Sequence, residues 1–204
     1  MTNQTPIEYR AYQRDMLLDF IHARFGEDDG GIFHEKTSEY VHTDIEVIAP
    51  DKEERTYVTF GMGARPMSSP LEDFQQAELV MFASPALDPY KEQSFILAGE
   101  LTALSKFPFR NDTWLGPGHT IDASDKFREA FGFDAFLFGL AESTELPKIG
   151  KVNFLYVIPI YQAERDWIME NGSFVFLDAM GEALGDETLW ADVPRAPFIP
   201  TPAE

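Results

Sequence analysis

His34, Glu35, His42 and Asp44 are the residues of this chain whose types could do chemistry together. His42 and Asp44 stand two apart in VHTDIEV, and side chains two apart on a strand point the same way. A His/Glu/Asp group of this kind can hold a divalent cation, and such a cation can activate water. The spacing does not support it: His34-Glu35 is not followed by the x-x-His of a zinc-binding helix. Strand faces turned to solvent are normally polar. The simpler reading is therefore a histidine hydrogen-bonded to a carboxylate on an exposed sheet face, with no metal or other cofactor. Other constellations are thinner. There is no Cys, hence no thiolate chemistry and no disulfide. No G-x-S-x-G occurs, and nothing in the spacing joins Ser68-Ser69 to His119. GMGARPM lacks the spacing of a phosphate-binding loop, so Gly61 and Gly63 read as a tight turn needing positive φ. Arg65 is a forked donor for a partner's carboxylate, or else a salt-bridge partner of Glu72 or Asp73.

The elements that position these residues follow from periodicity. A first helix is expected over Pro6–Phe25, capped by Thr5 with Glu8 completing a capping box, and ended by Gly26. Val41–Val47 alternates, which predicts a half-exposed strand with His42, Asp44 and Glu46 outward. Pro50–Glu53 reads as a turn into Arg55–Gly61, an antiparallel hairpin, and Ala77–Ala83 is a third strand. A helix capped by Asp88 runs to about Lys106, buries Leu97, Leu101 and Leu104, and is stopped by Pro108. A short helix over Ser124–Phe131 precedes a fourth strand, Phe133–Leu140. The apolar run Lys151–Tyr161 suits a strand buried on both faces, with Pro159 at its end or at a bulge. It is too short for a membrane span, which needs about twenty apolar residues. Helices over Gln162–Glu170 and Phe174–Leu184 and an extended Pro-rich tail from Val193 complete the chain. The expected fold is α+β: one domain over residues 1–204, with a mixed, largely antiparallel twisted sheet of about five or more strands flanked by helices.

Charge narrows the partner. Thirty-five acids against 16 bases give a formal net charge of −19. Such a field repels phosphate backbones and draws a basic partner. Separate acidic clusters at Glu27–Asp29, Asp51–Glu54, Glu142–Glu145 and Glu182–Glu187 read singly as solvated surface. Trp114 and Trp167 read as core or rim aromatics. The N-terminus lacks a basic region followed by an apolar one, so no secretory signal is expected and the cytoplasm is the expected location.

The ordered set FHE, VHTDIEVIAP, RTYVTFGMGARPM, AELVM, KVNFLYVIPIYQAERDWIMENG and FVFLDAMGEAL resembles the suppressor-of-fused-like domain family, single-domain bacterial type, over about residues 33–184. Family members commonly carry Ser where this chain has Gly63, so no role needing a hydroxyl carries over there. The resemblance implies binding rather than catalysis. In two-domain animal members an extended peptide is gripped between domains, partly by strand addition. The single-domain members are thought to include immunity proteins that neutralise toxins. The partner expected here is thus a protein, a basic toxin domain or an extended peptide, and not nucleic acid or membrane. His42, Asp44, Glu46, Arg65 and Met67 are the expected contact residues. The alternatives are a metal-assisted hydrolase built on His34, Glu35, His42 and Asp44, and a structural or scaffolding subunit.

Overall fold

A computed structural model describes residues 6–27, 30–49, 54–184 and 189–200. Its centre is a seven-stranded sheet. The strands in chain order are β1 (Ile32–Phe33), β2 (Asp44–Ile48), β3 (Arg55–Phe60), β4 (Gln76–Ala83), β5 (Thr120–Asp122), β6 (Ala135–Leu146) and β7 (Gly150–Ile160). Across the sheet they run β1-β2-β3-β4-β7-β6-β5, with β4 and β7 parallel and every other neighbouring pair antiparallel. The helices are α1 (Ala11–Phe25), α2 (Glu92–Asn111), α3 (Asp125–Phe131), α4 (Gln162–Asn171) and α5 (Ser173–Leu184). This is the α+β fold with a mixed, largely antiparallel sheet that the sequence pattern predicts.

Helices cover both faces of the sheet. Side chains alternate along β7: Val152 and Phe154 pack with Leu17, Ile21 and Phe25 of α1, while Leu155 and Val157 pack with Leu97, Leu101 and Leu104 of α2 and with Phe127 and Phe131 of α3. Farther along the α1 face, Ile160 joins Ala135 and Leu137 of β6 under Ile168 of α4 and Phe176 and Met180 of α5. Each fully buried Leu or Phe contributes about 1.5–3 kcal/mol of transfer free energy, so the sheet is fastened on both sides. Lys151–Tyr161 is the doubly buried strand its composition suggests, and Pro159 lies one residue from its end.

Several boundaries move, each for a tertiary reason. The first helix begins at Ala11, not Pro6, because Ile7 is bridged to Val41: Ile7 N donates to Tyr40 O at 3.0 Å and His42 N to Ile7 O at 3.1 Å. The backbone N–H of Arg10 then donates to the Gln13 side chain at 2.9 Å, while the expected Thr5 cap lies outside the described residues. The turn expected at Pro50–Glu53 also lies outside them. The helix begins at Glu92 after a turn at Asp88, and it runs through Pro108 to Asn111, where Asp112 takes a left-handed conformation. β6 continues past Leu140 to Leu146, across an irregularity between Leu140 and Glu142, so the Glu142–Glu145 cluster lies on a strand. The half-exposed strand over Val41–Val47 is instead Asp44–Ile48, buried at every position, because α1 covers one of its faces and α2 the other.

Candidate functional site

β2 and the stretch between β1 and β2 bring the four predicted chemical residues together, and α2 closes on them. The Asp44 carboxylate is buried and lies between two imidazoles, His34 Nδ1 at 3.2 Å and His42 Nε2 at 3.1 Å. It also accepts the Glu35 backbone N–H at 3.1 Å. Glu35 Oε2 in turn accepts from Ser38 Oγ at 3.0 Å, Thr43 N at 2.9 Å and Lys106 Nζ at 3.0 Å. Ser38 Oγ closes the ring against His42 Nδ1 at 2.6 Å. Lys106 arrives from α2, is almost wholly buried, and spends its remaining donors on Val41 O at 2.6 Å and Thr43 Oγ1 at 2.9 Å. Burial lowers the Lys106 ammonium from its usual value, and the Glu35 carboxylate opposes that shift. Among the described residues no three His, Asp or Glu side chains are arranged to hold a metal ion. Glu35, Ser38, His42 and Asp44 form a hydrogen-bonded ring, flanked by His34, that fixes the chain before β2.

The expected contact surface changes accordingly. Asp44 and Glu46 are buried rather than outward, and Glu46 faces His22 of α1 at 2.7 Å. Met67 is buried too, its Sδ 3.5 Å from the Leu115 N–H. Arg65 does not pair with Glu72 or Asp73. Its guanidinium lies over the Tyr40 and Phe109 rings at 5.7 and 5.4 Å, and Asp73 meets Lys151 at 3.6 Å. Only His42 and Arg65 of the five keep a part-exposed side chain.

A second polar centre had no sequence forecast. Glu78, in the middle of apolar β4, is fully buried and collects five donors. Its Oε1 accepts from Tyr9 OH at 2.9 Å, Gly61 N at 3.0 Å and Gly63 N at 3.1 Å. Its Oε2 accepts from Thr59 Oγ1 at 2.6 Å and Met62 N at 3.3 Å. One carboxylate thus pins the whole GMG turn to the sheet. Burial pushes the Glu78 carboxyl up and the hydrogen bonds pull it back; burial and the Glu78 charge push the Tyr9 phenol well up. Gly61 takes φ +132°, as a tight turn requires, and a Cβ there would meet His42 O at 2.0 Å. Gly63 does not take positive φ; its constraint is closeness, since a Cβ would stand 2.5 Å from the Tyr9 hydroxyl. The Tyr9 hydroxyl occupies the room a serine side chain would need. The signal for Glu78 was present as one acid inside an apolar run, AELVM.

Another buried acid holds the tail. Glu164 of α4 accepts the N–H groups of Tyr161 and Phe198, each at 2.7 Å, and pairs through both oxygens with Arg195. Arg195 lies beside the Phe133 and Tyr161 rings at 5.8 and 5.5 Å. Phe198 of the tail packs on Phe176, whereas Ile199 stays exposed.

The class of fold is therefore a helix-covered mixed sheet whose buried acids lock its turns and tail. The sequence profile of the Suppressor of fused protein (SUFU) family matches residues 39–196, about three-quarters of the chain, and the chain belongs to that family. Solved structures agree on the fold. One, described as the Sufu-Fu complex, superposes with a TM-score of 0.62 at 12% identity, covering 87% of this chain and 86% of that one. Drosophila Suppressor of Fused superposes with a TM-score of 0.52 at 15% identity over 70% of this chain, which spans 40% of its length. No curated protein matches the chain in sequence. No helix among the described residues is long and apolar enough to cross a membrane.

Proposed function

We propose that this chain is a non-enzymatic protein-binding domain, and more finely an immunity-type protein that neutralises a basic toxin domain in the cytoplasm. The observation that carries the reading is family membership over residues 39–196. It is joined by likeness to a fold solved in a complex, which is a property of that neighbour. Two features of this chain support it. The groups best suited to chemistry are committed to the chain's own backbone: Asp44 and Glu35 to the approach to β2, Glu78 to the GMG turn, Glu164 to the tail. The net charge of −19 accelerates encounter with a cationic partner and disfavours a polyanionic one.

Affinity purification of the tagged chain from its native host after in-cell cross-linking tests the reading. The expected result is a stoichiometric protein partner with a basic domain, whose toxicity the chain suppresses on co-expression. Recovery of the chain alone, or turnover of a substrate by the pure protein, would sink it.

A further inference from the structure

α4 and α5 meet at Gly172 and turn their outward faces to solvent. Of the five most exposed large apolar side chains among the described residues, three cluster around this junction: Met169 at 74%, Phe174 at 62% and Val175 at 55%. The buried core of the hairpin is made instead by Ile168, Phe176 and Met180, and of the three exposed side chains Phe174 only rests its ring edge near Gly118. Carboxylates surround them. Asp166 lies one helical turn before Met169 on α4, and Glu170, the residue after Met169, is exposed as well and stands one turn from Asp166. Asp178 and Glu182 continue the line of Phe174 along α5 at steps of four. None of the four forms an ion pair among the described residues. α5 contains no Lys or Arg, and Arg165, the base of α4, is held by Asp122.

We propose that this outward face of the α4–α5 hairpin docks a basic protein segment carrying apolar side chains. The proposal rests on the protein-binding reading above and names the surface and the partner's chemistry. An occupant that removes Met169, Phe174 and Val175 from water also approaches four uncompensated carboxylates, so it must bring cations. A second copy of this chain is disfavoured by the same argument. A two-fold contact would set each acidic rim against its own image.

The test uses the full chain and a fluorescein-labelled helical probe peptide in which a leucine stripe is flanked by arginines. A second peptide has the leucines replaced by serine at equal charge. Fluorescence anisotropy should show micromolar binding of the leucine peptide. Met169→Ser with Phe174→Ser, which alters only exposed side chains, should weaken it about tenfold or more and leave the serine peptide unchanged. Asp178→Asn with Glu182→Gln should weaken both peptides, more at low salt. The surface is ruled out if the serine substitutions change nothing. It is equally ruled out if Glu142→Gln with Glu145→Gln on β6 weakens binding as much, since that indicates attraction to net charge alone. A wild-type dimer in sedimentation that Phe174→Ser abolishes would also overturn it. The native pull-down separates the two levels. A partner retained by the serine variant ends this surface and keeps the binding reading; no partner for either chain ends the binding reading, and the peptide arm still decides the surface.

Discussion

The Glu78 centre and the Asp44 centre use similar residues in opposite settings. At Glu78 five donors converge on one carboxylate with no solvent contact, and three of them are consecutive backbone N–H groups of the GMG turn. At Asp44 the carboxylate is nearly as buried, yet its partners reach outward: His34 is 71% exposed and His42 25%. In the first, no water can replace a lost partner, so each missing bond carries the full desolvation penalty. In the second, solvent stands in on one side, and the damage from a deletion is screened. Motif-like spacing therefore says little about energetic weight; access to water decides it.

Four substitutions sharpen the contrast, from strongest to weakest. Glu78→Ala should cost about 3–5 kcal/mol, since it strands buried donors, and urea denaturation should find the chain barely folded or unfolded. Lys106→Met should cost about 2–4 kcal/mol by leaving Glu35 uncompensated in a nearly closed site. Its pH dependence has a definite sign. The folded chain releases the Lys106 proton at lower pH than the unfolded chain does. Between that lowered value and the ordinary value near about 10.4 the unfolded state holds more protons, so this group's contribution rises with pH. The stability gap between wild type and Lys106→Met should widen across that window; a gap that narrows would contradict the assignment.

Gly63→Ser should cost about 1–3 kcal/mol by crowding the Tyr9 hydroxyl. Combined with Tyr9→Phe it should cost less than the two singles summed, by about 1 kcal/mol in a double-mutant cycle. Additivity would show that the two groups do not compete for the same space. His34→Ala should change stability by no more than about 0.5 kcal/mol, because its contact with Asp44 is open to solvent. A large loss in thermal denaturation would place His34 with the dry centre instead.

Elements with a strong local pattern were legible in the sequence. The apolar density of Lys151–Tyr161 announced a doubly covered strand, and the turn residues around Gly172 announced the α4–α5 junction. The short strands β1 and β5 were missed because two or three residues carry no periodicity. The face of β2 was misread for a different reason. Alternation of polar and apolar residues normally means one wet face, but here His22 from α1 partners Glu46, and Asp44 is enclosed by the segment before β2. The nearness of His42 and Asp44 was readable from their spacing of two, while the place of Lys106 was not, standing 71 residues from Glu35.

By itself the amino-acid order determined where helices and strands can form, the strongly acidic field and the lack of thiol chemistry, because these depend on local periodicity and on simple sums. Only the tertiary structure decided which acids are buried and which side chains remain in water. Burial depends on what distant segments cover, and a carboxylate such as Glu78 can be stable inside the sheet only when Tyr9 and the GMG turn arrive to donate to it.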